Sequence, residues 1–212
     1  MDIYTAINAR RTVRDFEDRP IEAEIIEKLL DAGLKAPTND HMRSWEFVIV
    51  NDKEVRLKLL DGFKKTIPQT DAENVKLVKS WGMTDRQQED MYLDAIPKQL
   101  SMIYNAGCLI LPFFRMDEPL FPAKTLYSLN ELVSVWCCIE NILLVAAAEG
   151  IFGVTRIPTC EESVHIKKVI GHPDDYVLPC YLALGYPATD AKVISQKAIS
   201  VKDRIHFDLW TK

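Results

Sequence analysis

With 212 residues the chain is long enough for one domain with a full core. Its hydrophobic share of 48% and charged share of 27% are those of an ordinary globular protein, while the net charge of −5 argues against bulk electrostatic binding to nucleic acid or an acidic membrane. The five cysteines (108, 137, 138, 160 and 180) include no Cys-x-x-Cys pair and fall mostly in apolar runs, so they are expected as reduced thiols in a cytoplasmic protein, not as a disulfide framework. Asp2 arrives at once and no apolar leader stretch follows, which fits the same expectation.

In chain order, Asp2 to Ala9 carries Ile3, Ala6 and Ile7 at helical spacing. Pro20 is expected to open a second helix, with Ile21, Ile25, Ile26, Leu29 and Leu30 on one buried face and an end marked by Gly33 and Pro37. Glu46 to Val50 reads as a strand and a helix begins near Lys53. Residues 66–100 are polar and charged with scattered large groups (Trp81, Met83, Met91, Tyr92), an excursion of one or two surface helices. That excursion is either a solvated insert or a lid over a binding site. Cys108 to Phe114 is a continuous apolar run, the pattern of a strand covered on both faces.

Leu129 to Glu149 is a long helix, apolar around most of its circumference, with Glu140 and Asn141 at its middle. Those two polar groups and the short length fit a buried helix better than a membrane span, so no membrane association is expected. Gly150 to Ile157 leads into a strand. Glu161 to Ile170 is a helix stopped by Gly171, and Val177 to Leu184 is one further strand that Gly185-Tyr186-Pro187 turns outward. The tail, 188–212, is too polar for its own core yet carries Ile205, Phe207, Leu209 and Trp210, which a neighbouring subunit could cover. The expected architecture is one layered α+β domain over 1–212, with 66–100 as its excursion and 188–212 as a C-terminal extension.

Two segments carry most of the chemistry. Arg10, Arg11 and Arg14 crowd one turn after the first helix, with Thr12 between them, and forked guanidiniums suit an anion such as phosphate. On spacing alone a solvated basic turn is equally good. Pro37, Thr38, Asn39, His41 and Arg43 then form a turn whose amide, hydroxyl and imidazole groups could read the edge of a planar ring, although His41 taken alone reads better as a surface loop residue.

These motifs, in this order, resemble the nitroreductase family of FMN-dependent oxidoreductases. Arg10-Arg11-Thr12 is similar to its Arg-Arg-Ser/Thr turn, and Pro37-Thr38 followed by Trp45 to its Pro-Ser…Trp. Gly150-Ile151-Phe152-Gly153 resembles the glycine turn after its central helix, and Ala183-Leu184-Gly185-Tyr186-Pro187 its late signature. The likeness runs from Ile3 to about Asp208, leaving 66–100 unmatched.

The resemblance implies a central mixed β-sheet flanked by helices, with the long helix as the spine of a homodimer, two sites at the subunit interface, and a tail wrapped over the partner. It implies that Arg10, Arg11, Thr12 and a tail cation hold the FMN phosphate, the tail cation being Lys197 with Lys202 and Arg204 in reserve. Arg14 would stand at the pyrimidine edge, with Pro37, Thr38, Asn39 and His41 also around the flavin. A fixed charge at Arg14 would stabilise the anion that builds on the ring during reduction. His41 stands where the family has Asn, Arg43 where it has Gln and Ser44 where it has Pro.

The backbone donor to flavin N5 would come from Ile157 or a neighbour, because Pro158 has no N–H. His41, Arg43 and Arg156 are candidate substrate contacts, Arg156 being equally well an exposed salt-bridging residue. The activity implied is hydride transfer from NAD(P)H through flavin to a small acceptor such as a nitroaromatic or quinone, in ping-pong order and with no catalytic side chain. Two alternatives stand beside it: a specialised flavin enzyme for an acidic metabolite (a dehydrogenase or dehalogenase among them), and an FMN-binding storage or sensing module without turnover.

Other chemistries lack their motifs. The four histidines show no metal-ligand spacing, no Gly-x-Gly-x-x-Gly follows a strand, and neither a Walker lysine motif nor a Gly-x-Ser-x-Gly elbow is present. Cys160, between a threonine and two glutamates, is a poor nucleophile candidate.

Overall fold

The computed structural model describes residues 1–41, 43–116, 118, 123 and 125–210, without the side chains of Asp40 and Lys65. Met42, inside the second motif, and the last two residues of the tail lie outside the described residues. Helix α1 (Ile3–Ala9) starts at Asp2, whose carboxylate accepts from the Thr5 N–H. Helix α2 (Ala23–Leu34) begins later than Pro20: the Ile21 N–H is used by the Gly107 carbonyl at 3.2 Å, so 20–22 is an extended link and the helix winds up only from Glu22.

Strand β1 (Trp45–Ile49) and helix α3 (Lys53–Asp61) follow, α3 capped by Asp52. The 66–100 excursion resolves into α4 (Asp71–Ser80) and α5 (Arg86–Ala95), the two helices expected at most, and runs into the start of α6 (Gln99–Asn105). A Thr70–Glu73 capping box starts α4 and Asp85 starts α5. These helices are anchored by buried Asn74, Val78, Ala95 and Ile96 and by Trp81 set edge-on against Tyr92, so the segment is a packed subdomain edge and not a loose insert.

Strand β2 (Cys108–Arg115), helix α7 (Asn130–Ala148), strand β3 (Phe152–Arg156), helix α8 (Cys160–Ile170) and strands β4 (Tyr176–Val177) and β5 (Tyr181–Gly185) complete the framework. The sheet runs β1-β2-β5-β3 with β4 also on β2, and every pair of strands is antiparallel. The parallel component is a single bridge, Thr12 to Gly153.

The expected strand 177–184 is split, and Pro112 explains where. Leu109 and Arg115 bond toward β1, so even-numbered residues of β2 point their amides toward β4 and β5. Pro112 has no amide to offer on that side. Val177 pairs with Phe114 and Leu182 with Ile110, so the second chain spends one residue more than β2 across the gap, the geometry of a bulge at Pro179.

Alternation along β2 and β5 divides the core into two layers. Cys108, Ile110, Phe114, Leu182 and Leu184 face α2 and α7, while Leu109, Leu111, Phe113, Tyr181 and Ala183 face the layer of α3, α6 and α8. The sheet is thus covered on both sides, as its unbroken apolar run requires. At Gly33 a Cβ would lie 2.9 Å from both Cys138 Sγ and Ile142 Cγ1, so α2 and α7 approach through that glycine. By length and hydropathy the stretch Tyr127–Ala148 could cross a membrane, but Val135, Cys138, Ile139, Ile142 and Ala146 of α7 are in the protein core. The thiols of Cys108, Cys138 and Cys180 are pushed up to about 12 by burial, so they stay protonated and inert.

Candidate functional site

The arginine turn is pinned to the sheet edge. Val13, fully buried, donates to the Gly153 carbonyl at 3.2 Å, Glu17 donates to Tyr186 at 2.9 Å, and Ala188 donates back to Asp15 at 3.0 Å. The chain can lie this close because β5 ends in Gly185, where a Cβ would fall 2.7 Å from Phe16 Cδ1. Arg10 and Thr12 then line a cavity of about 240 Å³ with Trp136, Glu140 and Leu143 of α7 and Thr155 of β3. Arg10 Nε is 3.6 Å from Glu140 Oε1, a half-exposed pair that contributes little by itself. Arg11 folds back, donating to the carbonyls of Asn8 (2.6 Å) and Arg10 (2.7 Å), and so closes the end of α1.

Arg14 is the unusual member. It is half-buried, yet among the described residues its guanidinium makes no hydrogen bond and no ion pair. Burial lowers its pKa, against the pull of Asp94, Asp15 and Tyr92. Both of those carboxylates are engaged elsewhere: Lys98 Nζ lies 2.7 Å from Asp15 Oδ2 and 2.9 Å from Asp94 Oδ1. A half-buried guanidinium with no partner among the described residues leaves its donors open to an acceptor from outside the chain. Nothing in the sequence of 66–100 announced Asp94, Tyr92 or Lys98 as neighbours of the arginine turn.

The second motif folds as a single 3-10 turn over Asn39–His41. Thr38, Asn39 and Ser44 line a separate cavity with Arg115, Glu131 and Ser134. Asn39 is held there by its N–H on Ser134 Oγ (3.4 Å) and its amide on Tyr127 (3.3 Å). Pro37 and His41 are exposed. His41 and Arg43 both adopt left-handed backbone, at φ 56° and 45°, which is uncommon for such side chains. Arg43 Nε donates to the Leu34 carbonyl at 2.9 Å, so this side chain braces the end of α2.

At the end of β3 the structure corrects one expectation. Arg156 is the salt-bridging residue of its two readings but not an exposed one: its side chain is 10% exposed and grips fully buried Glu162 through two nitrogens, at 2.6 and 2.7 Å. Its Nε donates to Gln99 at 2.6 Å and its guanidinium lies 3.9 Å over the Phe63 ring. Glu162 also closes the capping box of α8 with Thr159 and accepts from Thr66. Burial would raise the Glu162 pKa, but the hydrogen bonds from Arg156 and Thr66 outweigh it and hold the carboxyl below its ordinary value. Ile157, one residue beyond, is 68% exposed and Pro158 is half-buried.

In this chain Lys197 is paired with Asp85 at 3.0 Å and strongly exposed, and Gln87 donates to Ser195, so this part of the tail lies on α5. Lys202 and Arg204 sit on an exposed turn, Val201–Arg204. None of the three shares a cavity with Arg10.

The Arg10 cavity and the Asn39 cavity both use α7, but from opposite sides. At about 100° per residue, Glu131 and Ser134 project from one side of that helix, and Trp136, Glu140 and Leu143 from the other. One chain therefore does not bring the two motifs to one ligand.

The family model described as the nitroreductase family matches residues 7–186. Iodotyrosine deiodinase from Danio rerio is 27% identical over 210 residues, covering 94% of this chain and 65% of its own length, so this chain spans about two thirds of that relative. A solved structure of oxidised iodotyrosine deiodinase bound to FMN and 3-iodo-L-tyrosine superimposes with a TM-score of 0.74 at 19% identity, covering 99% of this chain and 100% of that one. The NADPH:FMN oxidoreductase of Vibrio harveyi, complexed with NAD+, gives a TM-score of 0.71 at 17% identity over 99% of this chain and 78% of the other. The match over most of its length, on an α+β frame of the same fold, makes this chain a member of the nitroreductase family.

Proposed function

We propose that the protein is a homodimeric, cytoplasmic FMN oxidoreductase that takes hydride from NAD(P)H and passes electrons to a small acceptor such as a nitroaromatic or quinone. The observation that carries this reading is Arg14, a half-buried guanidinium with no hydrogen bond or ion pair of its own, on the same turn as Arg10 and Thr12. That donor set fits a phosphorylated, electron-poor ring: forked cations for the phosphate, and one fixed charge for the ring edge. When bound, FMN supplies the hydride chemistry itself. Arg10 and Thr12 hold the phosphate, with Arg11 able to join by releasing two backbone carbonyls.

Thr38, Asn39 and His41 reach the flavin from the second subunit, since α7 separates the two motifs within one chain. The half of α1 and α7 that would face that subunit carries exposed Ile3, Tyr4, Ile7 and Val133. The tail supports the same reading, with Phe207, Leu209 and Trp210 each more than three quarters exposed. The main-chain donor toward the ring is the Ile157 N–H, because Pro158 has none. Lys197 reaches a phosphate only by leaving Asp85, so it is the weakest member of the set.

The purified protein is expected to be yellow, to lose that colour on addition of NAD(P)H, and to regain it with menadione. Double-reciprocal plots should be parallel; intersecting lines would overturn the one-site, ping-pong order. A second reading, reductive dehalogenation, is favoured by the deiodinase likeness in both sequence and fold. Iodide release from 3-iodo-L-tyrosine under dithionite would support it, and turnover of menadione without iodide release would exclude it. Sustained NAD(P)H oxidation in the presence of menadione would exclude a storage role.

A further inference from the structure

Lys98, near the end of the 66–100 segment, reaches across to the arginine turn and bridges both carboxylates beside Arg14. Its Nζ lies 2.7 Å from Asp15 Oδ2 and 2.9 Å from Asp94 Oδ1, and all three side chains are largely enclosed, at 24%, 32% and 14% exposure. Lys192, from the tail, adds a longer contact of 3.6 Å to the same Asp94 oxygen. The hydrogen bonds to Asp15 and Asp94 hold the Lys98 ammonium above its ordinary pKa in spite of burial, so the charge is permanent. Arg14 is attracted by these same two carboxylates but pairs with neither.

We propose that Lys98 is a positioning residue: by occupying Asp15 and Asp94 it keeps the Arg14 guanidinium unpaired and available to a bound flavin. The inference rests on the flavin reading above and deepens it by naming what sets the charge at the ring edge. The physics is competition for a common partner. Two carboxylates near a partly desolvated guanidinium would form a charge-assisted pair with it unless another cation held them. With Lys98 removed, Arg14 turns to Asp94, and its charge is largely neutralised before any ligand arrives. The device is also a link: Lys98 immediately precedes α6 and Asp94 lies in the last turn of α5, so the packing of the excursion helices decides the state of Arg14.

Among the described residues Lys192 is a second cation at this cluster, and it does not replace Lys98. Lys192 reaches only Asp94, and from farther away. The Tyr92 side chain faces Arg14 as well.

The test compares wild type, Lys98→Met, Lys98→Arg and the double variant Lys98→Met/Asp94→Asn, each refolded or saturated with FMN. Two quantities are read: the FMN dissociation constant by fluorescence quenching, and the two-electron midpoint potential by dye-coupled reduction. Lys98→Met should weaken the preference for reduced over oxidised FMN by roughly tenfold, which for a two-electron couple is about 30 mV downward. Lys98→Arg should behave as wild type. Lys98→Met/Asp94→Asn should recover most of the loss, because the captor of Arg14 has been neutralised; a merely structural lysine predicts no such rescue. An unchanged potential in Lys98→Met, or a double variant no better than the single, overturns the proposal. If Lys98→Met fails to fold, the double variant and Asp94→Asn alone still decide, since Asp94→Asn should raise the potential or leave it at the wild-type value and a fall would contradict the idea. Failure of wild type to bind FMN at all would instead strike the flavin reading and not this inference.

Discussion

Arg156→Met should cost about 3–5 kcal/mol of unfolding free energy, the range for stripping one partner from a buried ion pair. Glu162 is fully enclosed, and after the substitution it keeps only Thr66 and the Thr159 N–H to satisfy a carboxylate that has lost two guanidinium donors. The Gln99 contact and the stacking over Phe63 go with it. Urea denaturation at pH 7 measures the loss. Arg156→Met/Glu162→Gln should recover part of it, because glutamine keeps an acceptor for the capping box and no longer leaves a buried charge.

The pH dependence gives an independent check with a definite sign. In wild type the Glu162 carboxyl is held below its ordinary 4.5, so the stability it contributes is fully present above 4.5 and is lost as pH falls toward the lower folded value. Without Arg156 the burial that opposes ionisation is no longer outweighed, and the carboxyl moves upward. The variant should then gain stability on acidification from pH 7 toward 4.5, where wild type does not. A parallel profile for the two proteins, or a loss under 1 kcal/mol, would show that Arg156 is not what holds Glu162.

Subunit mixing should produce a recovery that neither parent shows. Arg10→Ala/Arg14→Ala removes the cationic half of the site, and each lost charge-assisted contact costs about 1.5–3 kcal/mol of FMN binding. Thr38→Ala/Asn39→Ala removes the polar half. In the proposed homodimer, with α7 putting the two halves on opposite faces of one chain, each site would draw one half from each subunit. A hybrid dimer then holds one site damaged twice and one site intact. Random reassociation makes about half of all dimers hybrid, so FMN capacity should return to roughly a quarter of wild type. If a single chain carried the complete site, mixing would restore nothing.

Much of the frame was readable from residue order. The β2 strand, the long α7 helix and the glycine stop of α8 follow from apolar runs and from Gly171 at φ 75°, which are local properties. The break in the strand after Val177 was not, because it depends on an absent amide at Pro112, some 65 residues away on the facing strand. The same distinction holds for the site. The arginine turn stood out because three identical charges crowd one loop, whereas the reason Arg14 is unpaired lies in Lys98, in a segment with no apolar periodicity to reveal where it folds. The bounds of α4 and α5 were not legible either, since they are set by the Thr70 and Asp85 caps inside a polar stretch with no apolar face. Arg156 shows the converse case, its salt bridge foreseen but its burial not. A charged residue next to a presumed site invites a substrate role, while Glu162, six residues on, turns it inward.

The most direct measurement of the central claim is the midpoint potential of FMN bound to Arg14→Ala against wild type. Loss of a fixed positive charge beside the ring should weaken reduced-state binding by roughly ten- to a hundredfold, lowering the two-electron potential by about 30–60 mV. An Arg14→Ala protein that binds FMN at the wild-type potential would contradict the assignment of this turn to the flavin.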